Sequence, residues 1–165
     1  MGVKQGFVDA AKVCISGASY GGYAALMGPA RNPGFYKCAI SGLAPTDMKY
    51  QLTTTAGDTA LHEEGQDFWR HVIGVNDMED PRLQDVSPLF AAQKIKLPVF
   101  LYAGKADYRV PFAQIEKMAN GLTAAGNPPW DFIAVAGEGH GFAKPENRRS
   151  LYQRIREFLH QQLAN

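Results

Sequence analysis

The feature that most constrains this chain is a glycine-rich turn held between a strand-like run and a helix-like one. Lys12 to Ser16 (KVCIS) is short and β-branched, and it leads directly into Gly17-Ala18-Ser19-Tyr20-Gly21-Gly22. The residues that follow, YAALMGPA, have helical composition until Asn32-Pro33 stops them. A strand that turns straight into a helix needs small residues around its apex. The spacing predicts that side chains at positions 17 and 21 would strike neighbouring backbone, with Gly22 giving further clearance.

Two further apolar runs, Lys37 to Ser41 and Leu97 to Ala103, end in polar loops, LAPTD and GKADYRVP. Phe112 to Ala125 has amphipathic helical periodicity, Asp131 to Ala136 (DFIAVA) reads as a fourth strand, and Glu146 to Leu163 as a closing helix. Strands alternating with helices predict an α/β fold: a mainly parallel sheet of about four strands flanked by helices. Right-handed crossovers then bring every strand's C-terminal end to one edge, where ligands bind. Residues 48–85 break the pattern, with a turn-like TTTAGDTA, a helical HEEGQDFWRHVIG and a turn at Asp80-Pro81, and are expected to form a cap beside that edge. With no repeat or compositional break, residues 1–165 are expected to form one domain.

Charge narrows the ligands. Seventeen basic and sixteen acidic residues, scattered along the chain, leave a net charge of +1 and no footprint for nucleic acid or anionic lipid. No run approaches the ~18 apolar residues of a membrane span and the N-terminus lacks an apolar leader, so a cytoplasmic protein with small-molecule ligands is expected. Cys14 and Cys38 lie in separate apolar runs without a C-x-x-C partner and are read as buried free thiols. His62, Glu63 and Glu64 do not form H-E-x-x-H, and neither a metal nor a cofactor is indicated.

Ser19 sits at the apex of Gly17-Ala18-Ser19-Tyr20-Gly21, a G-x-S-x-G pattern whose strand-before, helix-after placement suits a nucleophile elbow. The Tyr20 amide, at a helix N-terminus, would stabilise an oxyanion. A serine hydroxyl needs an imidazole to take its proton. His140, in the glycine-rich GEGHGF after the last strand, fits best. His62 and His71 fall in the irregular segment and His160 on a polar helix. The carboxylate behind the imidazole is expected to be Asp107, in the loop after the third strand, with Asp47 after the second strand as its rival. The order Ser19, Asp107, His140 is that of the α/β-hydrolases.

Through GASYGGYAALM, FWRHVIG, SPLFAAQKIKLPVFLYAGKADYRVP and GEGHGF the sequence resembles the catalytic domain of the prolyl oligopeptidase family, particularly its acylaminoacyl-peptidase branch, over nearly the whole chain. The resemblance implies Ser19, Asp107 and His140 as a triad, Tyr20 N–H as one oxyanion donor and Arg109 as a substrate contact. It also implies a truncated α/β-hydrolase fold, because family members carry a β-propeller and further catalytic-domain strands upstream. The loop that gives such hydrolases a second oxyanion donor has no counterpart here, as no HGG-like segment occurs. Hydrolysis of small carboxylic esters through an acyl-enzyme on Ser19 is therefore expected. The alternatives are a serine peptidase of the acylaminoacyl or oligopeptidase type and an inactive fragment serving assembly. A fourth reading is a ligand-binding module lined by Tyr50, Phe68, Trp69 and Trp130. The first strand would be left as an apolar sheet edge, which predicts a homodimer or larger oligomer.

Overall fold

The computed structural model describes residues 2–54 and 63–164. Four strands, β1 (Cys14–Ala18), β2 (Cys38–Gly42), β3 (Val99–Gly104) and β4 (Asp131–Val135), form one parallel sheet in the order β1-β2-β3-β4. The crossovers carry α1 (Tyr20–Arg31) between β1 and β2 and α5 (Ala113–Ala124) between β3 and β4. Helix α6 (Pro145–Leu163) closes the chain. Between β2 and β3 the described residues form the α-helices α2 (Met48–Thr53), α3 (Glu63–Ile73) and the short α4 (Arg82–Asp85). The α/β architecture read from the sequence is the one found. Within the segment expected to be irregular, residues 55–62 lie outside the described residues, whereas Met48–Thr53 is helical because the Asp47 carboxylate accepts the Tyr50 amide at 3.0 Å and caps it.

Alternation along β2 and β3 explains why both faces of the sheet are covered. Ala39, Val99 and Leu101 face a layer made by Leu26 of α1 and Ile115, Met118 and Leu122 of α5. Cys38, Ile40 and Phe100 face Leu151 and Phe158 of α6. β2 and β3 are therefore mostly apolar, as strands buried on both faces are, and the buried Ser41 of β2 satisfies its hydroxyl by donating to the Gly22 carbonyl at 2.9 Å. Each large side chain such as Phe100 or Phe158, fully buried here, contributes roughly 1.5–3 kcal/mol. β1 and β4 are the sheet edges, and β1 is only partly covered.

β1 runs two residues beyond the predicted Lys12 to Ser16, because Gly17 and Ala18 remain paired with Ser41 and Gly42 of β2. The strand thus ends directly at Ser19.

The cysteines correct the free-thiol expectation: Cys14 and Cys38 form a disulfide. They are direct partners in the β1–β2 register, with Cα atoms 4.7 Å apart and side chains on the same face of the sheet. Sequence spacing of 24 residues conceals this because the α1 crossover intervenes. Closing a loop of that length removes unfolded-chain entropy worth about 3 kcal/mol. Denatured, unreduced protein should therefore give no reaction with a thiol reagent, and reduction should lower the unfolding free energy in urea by about 3 kcal/mol. Two titratable thiols without reductant would contradict the bridge.

Candidate active site

Ser19 occupies the turn between β1 and α1 with φ 57° and ψ −125°, a conformation that a non-glycine residue adopts only when its surroundings enforce it. Those surroundings are visible. The Ser19 N–H donates to the Gly42 carbonyl at 2.8 Å, and the Ser19 carbonyl accepts the Tyr23 N–H at 3.0 Å. One end is thus held by the neighbouring strand and the other by the first turn of α1. A Cβ at Gly17 would stand 2.2 Å from the Gly21 carbonyl oxygen, and one at Gly22 would stand 2.5 Å from that of Gly42. At Gly21, by contrast, a Cβ would meet nothing within 4 Å. The expectation that position 21 needs glycine for its own clearance is thus corrected, since it is Gly17 that must yield to the Gly21 backbone.

His140 reaches Ser19 from the loop after β4. Its Nε2 lies 2.9 Å from Ser19 Oγ and its Nδ1 2.8 Å from Asp107 Oδ2. Asp107 comes from the loop after β3, and its other oxygen accepts the N–H groups of Arg109 at 2.9 Å and Val110 at 3.0 Å. The side chain of Asp107 is 1% exposed and that of His140 13%, so the chain of bonds is shielded but still reachable from outside. An ionised carboxylate only accepts, so Asp107 makes Nδ1 the donor and leaves the Nε2 lone pair for the serine proton. The two loops interlock at Gly104, where a Cβ would lie 2.2 Å from the Glu138 carbonyl oxygen.

Asp47, the rival acid, caps α2 and lies 3.5 Å from Lys117 Nζ, so its carboxylate is committed away from His140. His71 and His160 are exposed on α3 and α6, and His62 lies outside the described residues.

A cavity of about 200 Å³ opens beside Ser19 and His140, lined also by Tyr20, Gln51, Trp69 and Arg109. An adjoining apolar cavity of about 180 Å³ is lined by Tyr20, Tyr23, Met48, Trp69, Ile73 and Val86. The rings of Tyr20 and Tyr23 stack at 5.4 Å, with Trp69 5.7 Å from Tyr20. Burial, followed by the neighbouring Tyr20, raises the Tyr23 phenol above its ordinary pKa, so that phenol stays uncharged. The four aromatics proposed as a binding pocket are not gathered: Trp69 lines the cavities, Trp130 packs on Phe100 and Phe158, Phe68 is exposed, and Tyr50 lies under Lys117. Gln51 escaped the sequence reading. Its carboxamide accepts from the fully buried Gln114 at 3.0 Å, a link between α2 and α5 that no local pattern signals. Among the described residues no cluster of three potential metal ligands occurs, and no helix is long and apolar enough to cross a membrane.

The family model described as the prolyl oligopeptidase family matches residues 1–165. The chain is 33% identical to dipeptidyl aminopeptidase BIII of Pseudoxanthomonas mexicana across 98% of its own length and 23% of the relative's. Its fold superposes on the acylaminoacyl peptidase of Pyrococcus horikoshii with a TM-score of 0.85 at 25% identity, covering 99% of this chain and 26% of that one. It also superposes on a puromycin-hydrolysing peptidase of Mycobacterium tuberculosis with a TM-score of 0.84 at 29% identity, covering 98% and 23%. The chain thus spans about a quarter of the length of the proteins it resembles.

The turn geometry separates two superficially equal glycines. Gly17→Ala must push the Gly21 backbone aside and should cost about 2 kcal/mol or more in urea unfolding. Gly21→Ala has open space in the first turn of a helix and should shift stability by less than about 1 kcal/mol, in the favourable direction. Equal effects of the two would show that the contact does not constrain the turn.

Proposed function

This chain belongs to the prolyl oligopeptidase family, and from that premise we propose that it carries the reacting groups of a serine peptidase, with Ser19 as nucleophile, His140 as general base and Asp107 as the carboxylate that orients the imidazole. The observation that carries the reading is the continuous chain of bonds from Ser19 Oγ through His140 to Asp107, at 2.9 and 2.8 Å. Ser19 Oγ attacks the scissile carbonyl while its proton passes to His140 Nε2, and Asp107 stabilises the imidazolium. The tetrahedral oxyanion forms beside the Tyr20 N–H at the start of α1, where the helix leaves its first amides without internal partners. Collapse transfers the His140 proton to the leaving amine and leaves an acyl group on Ser19. Water, deprotonated by His140, then releases it.

The aromatic wall of Tyr20, Tyr23 and Trp69 supports an uncharged, apolar side chain on the acyl side of the cleaved bond, and Arg109 at the cavity rim supports contact with substrate carbonyl oxygens. The likeness to a dipeptidyl aminopeptidase and to acylaminoacyl and puromycin-hydrolysing peptidases favours short peptides and aminoacyl amides over the simple esters expected from the sequence. The Cys14–Cys38 bridge favours an oxidising compartment over the cytoplasm. The partly covered β1 edge supports association with a second copy, for which light scattering above monomer mass is the expected reading.

The test compares wild type and Ser19→Ala, both shown to be folded, on an alanyl-peptide p-nitroanilide and on p-nitrophenyl butyrate. Wild type should cleave the anilide and the variant should lose at least about 10³-fold in kcat. Cleavage of the ester alone would restore the esterase reading. A folded wild type that cleaves neither and does not react with a fluorophosphonate would leave an assembly module.

A further inference from the structure

Glu138 is 1% exposed, and none of the chemistry above uses its carboxylate. One oxygen accepts the Ala143 N–H at 2.6 Å. The other accepts the Lys144 N–H at 3.1 Å and the Asn147 side-chain amide at 2.6 Å. Lys144 is the residue before the first turn of α6 and caps nothing with its own side chain, while Pro145 has no N–H to offer. Glu138 thus caps α6 from six residues upstream of Lys144. The Asn147 bond, then those from Ala143 and Lys144, hold its carboxyl below the ordinary glutamate pKa against the opposing effect of burial.

Its main chain is equally committed. The Glu138 carbonyl accepts the Ala106 N–H at 2.9 Å, one residue before Asp107. His140 itself stands among Gly137 at φ 73°, Gly139 and Gly141 at φ 129°. Three glycines around one imidazole would leave it wide conformational freedom, which must be removed before Nε2 can face Ser19. We propose that Glu138 is a positioning residue: its buried carboxylate ties the His140 loop to the start of α6, and its carbonyl sets that loop in register with the Asp107 loop. This rests on the reading of Ser19 and His140 as the reacting pair.

Gln at 138 has the same shape but presents an NH₂ where the site offers only donors, so Glu138→Gln removes the anchor without emptying the space. The experiment measures three quantities on wild type and this variant: kcat and KM on the anilide, the pH dependence of fluorophosphonate labelling, and the low-field N–H proton resonance of the His140–Asp107 bond. Expected are a fall in kcat of about tenfold or more with KM within about twofold, and loss or broadening of the resonance. Because the folded carboxyl is held low, its stabilisation is full above the ordinary glutamate pKa and fades as pH falls through the folded value; the variant should lack that acid-side loss. Wild-type kcat and an intact resonance in folded Glu138→Gln would overturn the proposal, as would a drop in stability with both unchanged, which marks a helix cap only. Should Glu138→Gln fail to fold, Asn147→Ala removes a single donor and should move kcat and resonance the same way; no movement overturns it. If the wild type shows no serine reactivity the peptidase reading fails by itself, and the resonance alone decides the role of Glu138.

Discussion

The site depends on one short hydrogen bond, from the Ser19 N–H to the Gly42 carbonyl. It extends the β1–β2 pairing one residue past the end of the strand, so that Ser19 is held by the sheet while the chain already turns into α1. The positive φ of Ser19 is unfavourable in isolation and persists because the strand, the first turn of α1 and the Gly17–Gly21 approach together leave no alternative. Disulfide Cys14–Cys38 closes the opposite end of the same strand pair. Strain at the serine is therefore sustained by a pairing braced at both ends.

From that fixed point the other groups are placed by strand length and loop interlock. β2, β3 and β4 end on the same side as β1, which brings the loops carrying Asp107 and His140 to one edge although 88 residues separate Ser19 from the first and 121 separate it from the second. Gly104 lets the two loops touch backbone to backbone, and the Glu138 carbonyl meets the Ala106 N–H at that contact. Gln114 performs a comparable task below the cavity. It accepts from the N–H groups of Thr46 and Asp47 and donates to the Asp47 carbonyl and Gln51, so that the loop after β2 is fastened to α5. These buried amide and carboxylate groups are costly unless their lone pairs and protons are matched, and here the backbone and side-chain partners named above match them.

Periodicity made the strands and helices legible because both faces of β2 and β3 are apolar and because glycine and proline mark the turns. The Ser19 turn was legible for a related reason: few backbone paths join a strand to a helix so abruptly, and they need small residues. What failed were pairings across space. Cys14 and Cys38 carry no local signal of their register, Asp47 and Asp107 look alike until their hydrogen bonds are seen, and Gly21 looks as constrained as Gly17 until the direction of the contact is known.

The sequence by itself determined the alternating α/β order, the serine at a strained turn, and the candidate histidine and carboxylate, since each of these follows from local composition and chain order. The tertiary structure decided which carboxylate faces the imidazole, that the two cysteines are joined, which aromatic residues wall the cavity, and which groups the buried Glu138 bonds. The physical reason is range. Propensity and turn chemistry act over a few residues and can be read in place, whereas hydrogen bonds, disulfides and cavities join residues whose nearness exists only after the crossovers have brought the strand ends together.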